Sequence, residues 1–437
     1  MVFWEYTFFV SCFVILYNYA GYALIARIAN EVKRKFRPRY EPDNTHLPSV
    51  SFIVAAFNEE DCIEQKILNS LEQDYPGEKI EFLFITDGST DGTAALINKY
   101  PGVRGLHEPE RKGKSAAVNR AVQYATGEIL IFSDANTMLN AGAVRHIARH
   151  YAQPKIGGVA GEKKVMPAGE PSGGTSDESG GTSDEVGAGE GFYWKYESFL
   201  KRVDSEFYSV VGAAGELFSL RRDLYEPLPH HVILDDFVLS LRVATKGYRI
   251  LYEPEAYAME LPSFSLTDEN KRKVRIAAGG FQAMGMLWPL LAFWRQPALS
   301  FLYISHRVLR WTLSPLCFIL ALLSNTILVF AGGAAGGAAG GPAAGPFEPG
   351  GAGLAPWLNT LFRVFFAAQI LFYGLALAGK FAGPRTRQSK WLKLPYYFVF
   401  MNVSVIQGFF RHLKGRQAAA WEKARRQPGQ ARSAPAK

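Results

Sequence analysis

The sequence predicts an α/β domain built on a mostly parallel sheet with helices on both faces, tied to transmembrane and interfacial α-helices. Three observations carry this expectation. Unbroken apolar runs alternate with helical stretches between Leu47 and Asp134. Further long apolar runs stand before and after that region. Basic residues gather beside the apolar runs instead of spreading along the chain.

The chain has 437 residues, 48% of them hydrophobic and 14% aromatic, which is enough for one sizeable soluble domain plus membrane segments. The net charge is +8. Because the basic clusters flank apolar runs, they point to a membrane face and not to a nucleic acid partner. Of three cysteines, Cys12 and Cys317 lie in apolar runs, and with Cys62 they form no close pair. Neither a disulfide framework nor a zinc site is indicated.

Phe8 to Ala26 is long and apolar enough to span a bilayer, so residues 1–30 are read as an N-terminal transmembrane helix. A signal peptide carries its positive charge before the apolar core, whereas here Arg27, Lys33, Arg34, Lys35, Arg37 and Arg39 follow it. The positive-inside rule then places the N-terminus outside and the next domain in the cytoplasm. That domain is expected over 47–265. Its strands are PSVSFIVAAFNEE, IEFLFITDGS, Val103–Leu106 and EILIFSD, with helices over Glu59–Gln73, over Asp91–Tyr100 and from Ser115. Such alternation argues for a parallel sheet covered on both faces, which binds ligands beyond the carboxyl ends of its strands.

Residues 166–190 are acidic and glycine-rich, with GGTSDE twice, and read as a mobile insertion. Order is expected to resume with GFYWKYESFLKR, as a helix. Residues 266–300 contain a basic stretch, Lys271–Arg275, and an apolar stretch, Phe281–Trp294, and are expected to hold an amphipathic interfacial helix. A C-terminal membrane region is expected over 301–412. Its spans are Trp311–Phe330 and Trp357–Leu377, joined by a flexible glycine, alanine and proline loop at 332–356. Leu394–Phe410 contains Pro395, Asn402 and Gln407, and a basic tail, 413–437, follows. If it spanned, that tail would fall outside, against the positive-inside rule; an interfacial or re-entrant segment is the alternative.

Three acidic sites stand at strand ends or a helix start. In ITDGSTDG, Asp91 suits a helix cap, while Asp87, one turn earlier at the strand tip, is the better ligand candidate. In SDAN, Asp134 with Asn136 two residues on could hold a divalent ion already carrying phosphate oxygens. A helix cap is the bland alternative, although Asn136 or Asn140 could serve as one without Asp134. The adjacent Asp235 and Asp236 complement a helix dipole, and one of them could also face the cleft as a general base. The GKS of HEPERKGKSAAVN fails as a P-loop, because position 108 is Glu where that motif needs Gly. Lys112, Lys114 and the helix that follows still make a phosphate-facing surface.

In order along the chain, AAFNEE, TDGSTDG, GKSAAVN, SDAN, GAAGELFSLRR, LDD and KRKVRI resemble the motif set of membrane-bound family 2 glycosyltransferases such as the bacterial cellulose, hyaluronan and poly-N-acetylglucosamine synthases. The resemblance covers nearly the whole chain. It implies a GT-A domain that binds a nucleotide sugar, usually UDP-linked, at the cytoplasmic face of the bacterial inner (plasma) membrane. Ala55, Glu59 and Asp87 would line the nucleoside pocket, and Lys114 would neighbour ribose and diphosphate. Asp134 and Asn136 take the outer positions of the DxD motif, which binds diphosphate and a metal, Mg2+ or Mn2+. The TED motif falls on Leu234, Asp235 and Asp236, making Asp236 the base, with Asp235 beside the substrate. Arg275 matches the Arg of QxxRW, which contacts diphosphate and acceptor.

The chain departs from these motifs at Asn136, which replaces an acid, and at Leu234 and Asp235, which replace Thr and Glu. Arg272 and Lys273 replace the two Gln, and Ile276 stands where the family stacks a Trp beside the acceptor sugar. The implied activity is inverting sugar transfer to a glycan or lipid-linked acceptor, among membrane lipids and polysaccharide export partners. Two alternatives stay open: non-processive transfer of one sugar to a lipid carrier or glycolipid, and an inactive scaffold of an export complex.

Overall fold

A computed structural model describes residues 1–36, 40–165, 183–261, 265–337, 356–382 and 389–415. Two compact units emerge, Ile25–Ile304 with 407–437 and Met1–Leu24 with Ser305–Ile406.

The larger unit is built on one eight-stranded sheet. Its strands are β1 (Val50–Ala56), β2 (Ile80–Asp87), β3 (Arg104–Glu108), β4 (Ile129–Asp134), β5 (Met138–Leu139), β6 (Ile156–Val165), β7 (Phe218–Arg221) and β8 (Arg249–Glu260). The order across the sheet is β3-β2-β1-β4-β7-β6-β8-β5. The first four strands are parallel, as their unbroken apolar runs predict. The second half is mixed, because β7 runs antiparallel to both β4 and β6, and β5 antiparallel to β8. The expected parallel sheet therefore holds for the half that ends at Asp134 and needs correction beyond it.

Helices α3 (Ile63–Leu71), α4 (Thr93–Ile97), α5 (Lys114–Tyr124), α6 (Ala143–Ala148), α7 (Ser183–Phe207), α8 (Asp235–Thr245), α9 (Leu266–Met286) and α10 (Pro297–Tyr303) complete the frame of this unit. Phe52, Phe84 and Ile131 of the sheet pack with Ile63 and Ile67 of α3 and Ile147 of α6 in one buried cluster. At about 25 cal/mol per Å² of apolar surface, such a cluster is a main source of folding energy. From β1 the chain winds outward through β2 and β3, then returns to place β4 on the other side of β1. That reversal opens a crevice at the carboxyl ends of β1 and β4, where Ala55 pairs with Asp134.

Two expectations for this unit change. Helix α7 starts at Ser183, so the expected insertion 166–190 loses its last eight residues to a helix. The rest of that insertion lies outside the described residues. The apolar Phe281–Trp294 run is not one helix: α9 ends at Met286, and a 3-10 turn over Trp288–Leu291 follows, with Pro289 unable to continue α-helical hydrogen bonding. Trp288, Leu291, Phe293 and Trp294 are exposed there.

The smaller unit contains all of α1 (Val2–Leu16), the start of α2 (Tyr22–Arg34), α11 (Leu309–Trp311), α12 (Leu313–Gly337), α13 (Pro356–Phe381) and the first part of α14 (Lys390–Leu413). Phe8, Leu328 and Phe362 form its buried apolar cluster, and Asn325 donates to Gln369 Oε1 at 2.8 Å. Among the described residues, three helical stretches are long and apolar enough to cross a membrane: Val2–Arg34, Leu313–Ala331 and Trp357–Phe381. These match the three expected spans. Helix α14 covers the unassigned Leu394–Phe410 and is not among them. Helix α12 takes in 332–337 of the expected loop, whereas 338–355 and the tail beyond 415 lie outside the described residues.

A buried ion cluster ties the start of the domain to its sheet. His150 and Arg149 both meet Glu253 of β8 at 2.7 Å, and Tyr40 OH bonds His150 Nδ1 at 3.0 Å. Burial opposes the Glu253 charge, but His150, Arg149 and the Glu255 amide outweigh it and hold the carboxyl at about 2. Its stabilising effect is present above the ordinary glutamate range and lost as pH falls toward 2. Glu253→Ala removes the buried acceptor shared by His150 and Arg149, and should cost about 3 kcal/mol. Thermal denaturation of variant and parent from pH 7 down to pH 3 checks this, and the gap should narrow toward the acid end.

Candidate active site

The site lies where β1, β2 and β4 end. Asp87, at the tip of β2, is fully buried. Its two carboxylate oxygens accept the backbone N–H groups of Lys112 at 3.0 Å and Gly113 at 2.7 Å. Gly113 has φ +94°, a conformation that glycine adopts without strain. Asp87 thereby shapes the turn that launches α5, whose first residue is Lys114. Asp91 accepts from Thr93 N at 3.1 Å at the start of α4, in keeping with the cap reading.

Lys114 reaches back across the crevice to Asp134, with Nζ 2.7 Å from Oδ1. Among the described residues, Asp134 Oδ2 carries no hydrogen bond. From the other half of the sheet, the turn before β7 brings Gly215 against this pair. A Cβ at Gly215 would lie 2.9 Å from Lys114 Nζ, 3.3 Å from Asp236 Oδ2 and 3.5 Å from Asp134 Oδ1. Three charged groups from three elements thus surround one point, and only a glycine leaves that point open. Ile53, Ala55, Phe132, Ser133, Phe218 and Asp235 are among the residues that line the small pocket here with Lys114 and Gly215.

Asp235 and Asp236 open α8, where carboxylates favour the helix dipole. Asp236 Oδ1 accepts its neighbour's amide, Phe237 N, at 2.8 Å. Burial raises the Asp236 carboxyl to about 7; Asp235 adds to the rise, while Lys114 and the Phe237 amide work against it. Burial opposes the Lys114 charge, but Asp134, Asp235 and Asp236 outweigh it, so the ammonium is held above its ordinary range. Arg275 reaches the Ile233 carbonyl at 3.4 Å. Burial lowers its pKa, and Asp235, Asp236 and Asp134 pull it back up.

Helix α9 sets the height of this acidic turn. Gln282 accepts Ile233 N at 3.0 Å and donates to the His231 carbonyl at 2.9 Å. Gly279 faces Ile233 and Leu234 so closely that a Cβ would stand 2.8 Å from each side chain. The two lysine and arginine positions beside Arg275 have other partners. Arg272 lies 3.8 Å from Glu260, and Lys273 is buried 3.3 Å from Glu269 and 4.3 Å from the Tyr193 ring centre.

The structure therefore gathers Lys114, Asp134, Asp235, Asp236 and Arg275, with Ala55 in the wall and Asp87 behind Lys114. Asn136 follows Asp134 on the same turn. Glu59 is turned toward α3 and α4: its amide donates to Thr93 Oγ1 at 2.9 Å and its Oε2 accepts from Cys62 Sγ at 3.3 Å. The sequence reading did not single out Gly215, Gln282 or Gly279. GAAGELF marks the first only as part of a motif, and nothing local marks the other two.

Among the described residues no group of three His, Cys, Asp or Glu side chains converges. What is present, the Asp134 carboxylate and the Asn136 amide, is a set of hard oxygen donors that suits Mg2+ or Mn2+ completed by phosphate oxygens and water. The residues fit such an ion.

The family model described as glycosyl transferase family 2 matches residues 51–228. Among curated proteins, the poly-beta-1,6-N-acetyl-D-glucosamine synthase of Staphylococcus aureus (strain MSSA476) is 24% identical over 291 residues, covering 65% of this chain and 67% of its own. Among solved structures, the mannosyltransferase PcManGT from Pyrobaculum calidifontis, in complex with GDP-Man and Mn2+, aligns with a TM-score of 0.64 at 21% identity. That alignment covers 94% of this chain and 100% of the other. Residues 51–228 are a glycosyltransferase family 2 domain within a GT-A fold, and the protein is a glycosyltransferase.

Proposed function

We propose that the protein is an inverting glycosyltransferase. It moves a sugar from a UDP-linked donor to a glycan acceptor at the cytoplasmic membrane face, in extracellular polysaccharide synthesis. One observation carries the reading: Lys114, Asp134 and Asp236 meet around Gly215 at the switch point of the sheet. The relatives' names and the three membrane-length helices support the setting. The basic residues after the first apolar run support the cytoplasmic side.

In the reaction, Asp236 takes the proton of an acceptor hydroxyl, whose oxygen attacks the anomeric carbon of the donor. The bond from that carbon to the phosphate oxygen breaks, and the electron pair leaves with the diphosphate. Lys114 and Arg275 face the developing negative charge in a partly water-excluded site. A divalent ion held by Asp134 and Asn136 would supply further charge stabilisation to the diphosphate. With one base and no protein nucleophile, the sugar inverts. Ala55, Glu59 and Asp87 belong to the nucleoside side of the pocket, and Asp235 to the substrate side of α8.

A second reading, transfer of a single sugar to a lipid carrier or glycolipid, draws on Ile276. Where the family stacks a Trp on the acceptor sugar, this chain offers a half-buried aliphatic side chain. Product length separates the two readings: a ladder of chains supports polymer synthesis, a single addition the alternative.

The direct test is nucleotide release by the protein in membranes, across UDP- and GDP-sugars with Mg2+ or Mn2+. Release should select one donor and fall about 10²–10⁴-fold in Asp236→Asn. Since the base must be ionised, kcat/KM should rise with pH through about 7, the value to which Asp236 is raised. A flat profile across that range removes Asp236 as the base. Gly215 has no left-handed backbone to protect, so Gly215→Ala should keep or slightly raise Tm, while the methyl group displaces Lys114 and lowers turnover about 10²-fold.

A further inference from the structure

A buried ammonium stands directly behind the tip of β4. Lys66, on α3, is fully buried. Its Nζ donates to Ser133 Oγ at 2.7 Å and to the Thr137 carbonyl at 2.8 Å. These acceptors bracket the Asp134–Asn136 turn, one residue before it and one after. Thr137 Oγ1 donates back to the Asp134 carbonyl at 3.0 Å and closes the turn. Ser133 Oγ in turn donates to the Glu216 carbonyl at 3.1 Å, one residue beyond Gly215. One side chain thus ties together the two turns that face each other across the site.

Packing alone does not account for a lysine here. A methionine would fill the same space without removing a charge from water, and such replacements are often neutral or stabilising. The cost of the buried cation is visible in its pKa, which burial pulls down to about 7 against the opposing pull of Asp134 and Cys62. Charged or neutral, the amine has the two donors its acceptors need. What lysine adds over methionine is directional: it fixes the 133–137 turn at both ends and, through Ser133, the 215–216 turn.

We propose that Lys66 is a positioning residue for the diphosphate and divalent-ion end of the donor site. It holds Asp134 and Asn136 at the spacing to Gly215 that leaves room for the ligand between Lys114 and Asp236. The proposal rests on the glycosyltransfer reading above, and it assigns Lys66 no contact with substrate.

The test is isothermal titration of the full chain in detergent micelles with UDP and GDP, each with and without Mn2+, and with uridine and guanosine. In Lys66→Met, affinity for the preferred nucleoside diphosphate with Mn2+ should fall about 10- to 100-fold. Affinity for the nucleoside should stay within about twofold, because the nucleoside side of the pocket depends on the β1 and β2 ends, not on this turn. Lys66→Gln, with an amide donor for one of the two acceptors, should recover part of the loss. Ser133→Ala keeps the lysine but removes the hydroxyl through which it reaches Glu216, and with it one of the two Lys66 acceptors. It should act in the same direction and serves if Lys66→Met does not fold. Parent-like binding of the diphosphate with Mn2+ in these variants overturns the proposal. So does an equal loss for nucleoside and nucleotide, which would mark a general loosening of the fold. A parent that binds no nucleoside diphosphate overturns the glycosyltransfer reading, and this proposal with it.

Discussion

The Lys114–Asp134 ion pair organises the site. It joins the first residue of α5 to the last residue of β4 at 2.7 Å, with both side chains more than half withdrawn from water. A pair so placed is not a large source of stability, because lost hydration offsets much of the attraction. Its importance is positional. Lys114 is aimed by the turn that Asp87 shapes through two backbone amides, so the tips of β2 and β4 are coupled through one side chain. Asp235, Asp236 and Arg275 gather about this pair, and the acid–base character of Asp236 follows first from burial and then from Asp235, with Lys114 opposing.

The second half of the sheet supplies the opposite wall by different means. The turn before β7 carries Gly215, and the next residue, Glu216, meets Lys163 of β6 at 2.7 Å. Lys163 also pairs with Glu260 at the end of β8, and Arg272 and Lys273 extend the chain of charges through Glu260 and Glu269 into α9. The links from Lys163 to Glu216 and Glu260 join segments distant in sequence, whereas those to Glu269 lie within α9. A buried chain of this kind is weak evidence for stability, but it leaves few alternative alignments of β6, β8 and α9. It also explains the departure from the family's two Gln. Arg272 is occupied with Glu260 at the end of β8, and Lys273 with Glu269 and the Tyr193 and Trp194 rings of α7, while Arg275, one helical turn on from Arg272, faces the acids.

Much of this was legible in the residues. Strand tips that end in Asp87 and Asp134 announced a ligand edge, because an unbroken apolar strand has no structural need for a carboxylate at its end. Asp235 and Asp236 before an apolar helical stretch announced a helix start with two charges to place. The mixed order of β5 to β8 was not legible. Those strands are short or interrupted, and their pairing depends on partners more than fifty residues away. The helical character of 183–190 was also hidden, since a repeat rich in Gly, Ser and Asp looks alike in a loop and at a helix start.

By itself, the sequence determined the α/β class, the parallel half of the sheet, the three membrane-length helices and the identity of the charged residues at strand ends. These properties follow from local pattern: apolar periodicity, helix and turn chemistry, and length. Only the tertiary structure decided which of those charges meet. Glu59 turns toward α3 and α4, Asp87 is spent on backbone amides, and Lys114, Asp134 and Asp236 converge. The meeting point exists because Gly215 has no side chain and because Lys66, silent in any motif, ties its turn to the end of β4. Distances between elements remote in sequence are set by packing and by hydrogen bonds that no local pattern encodes.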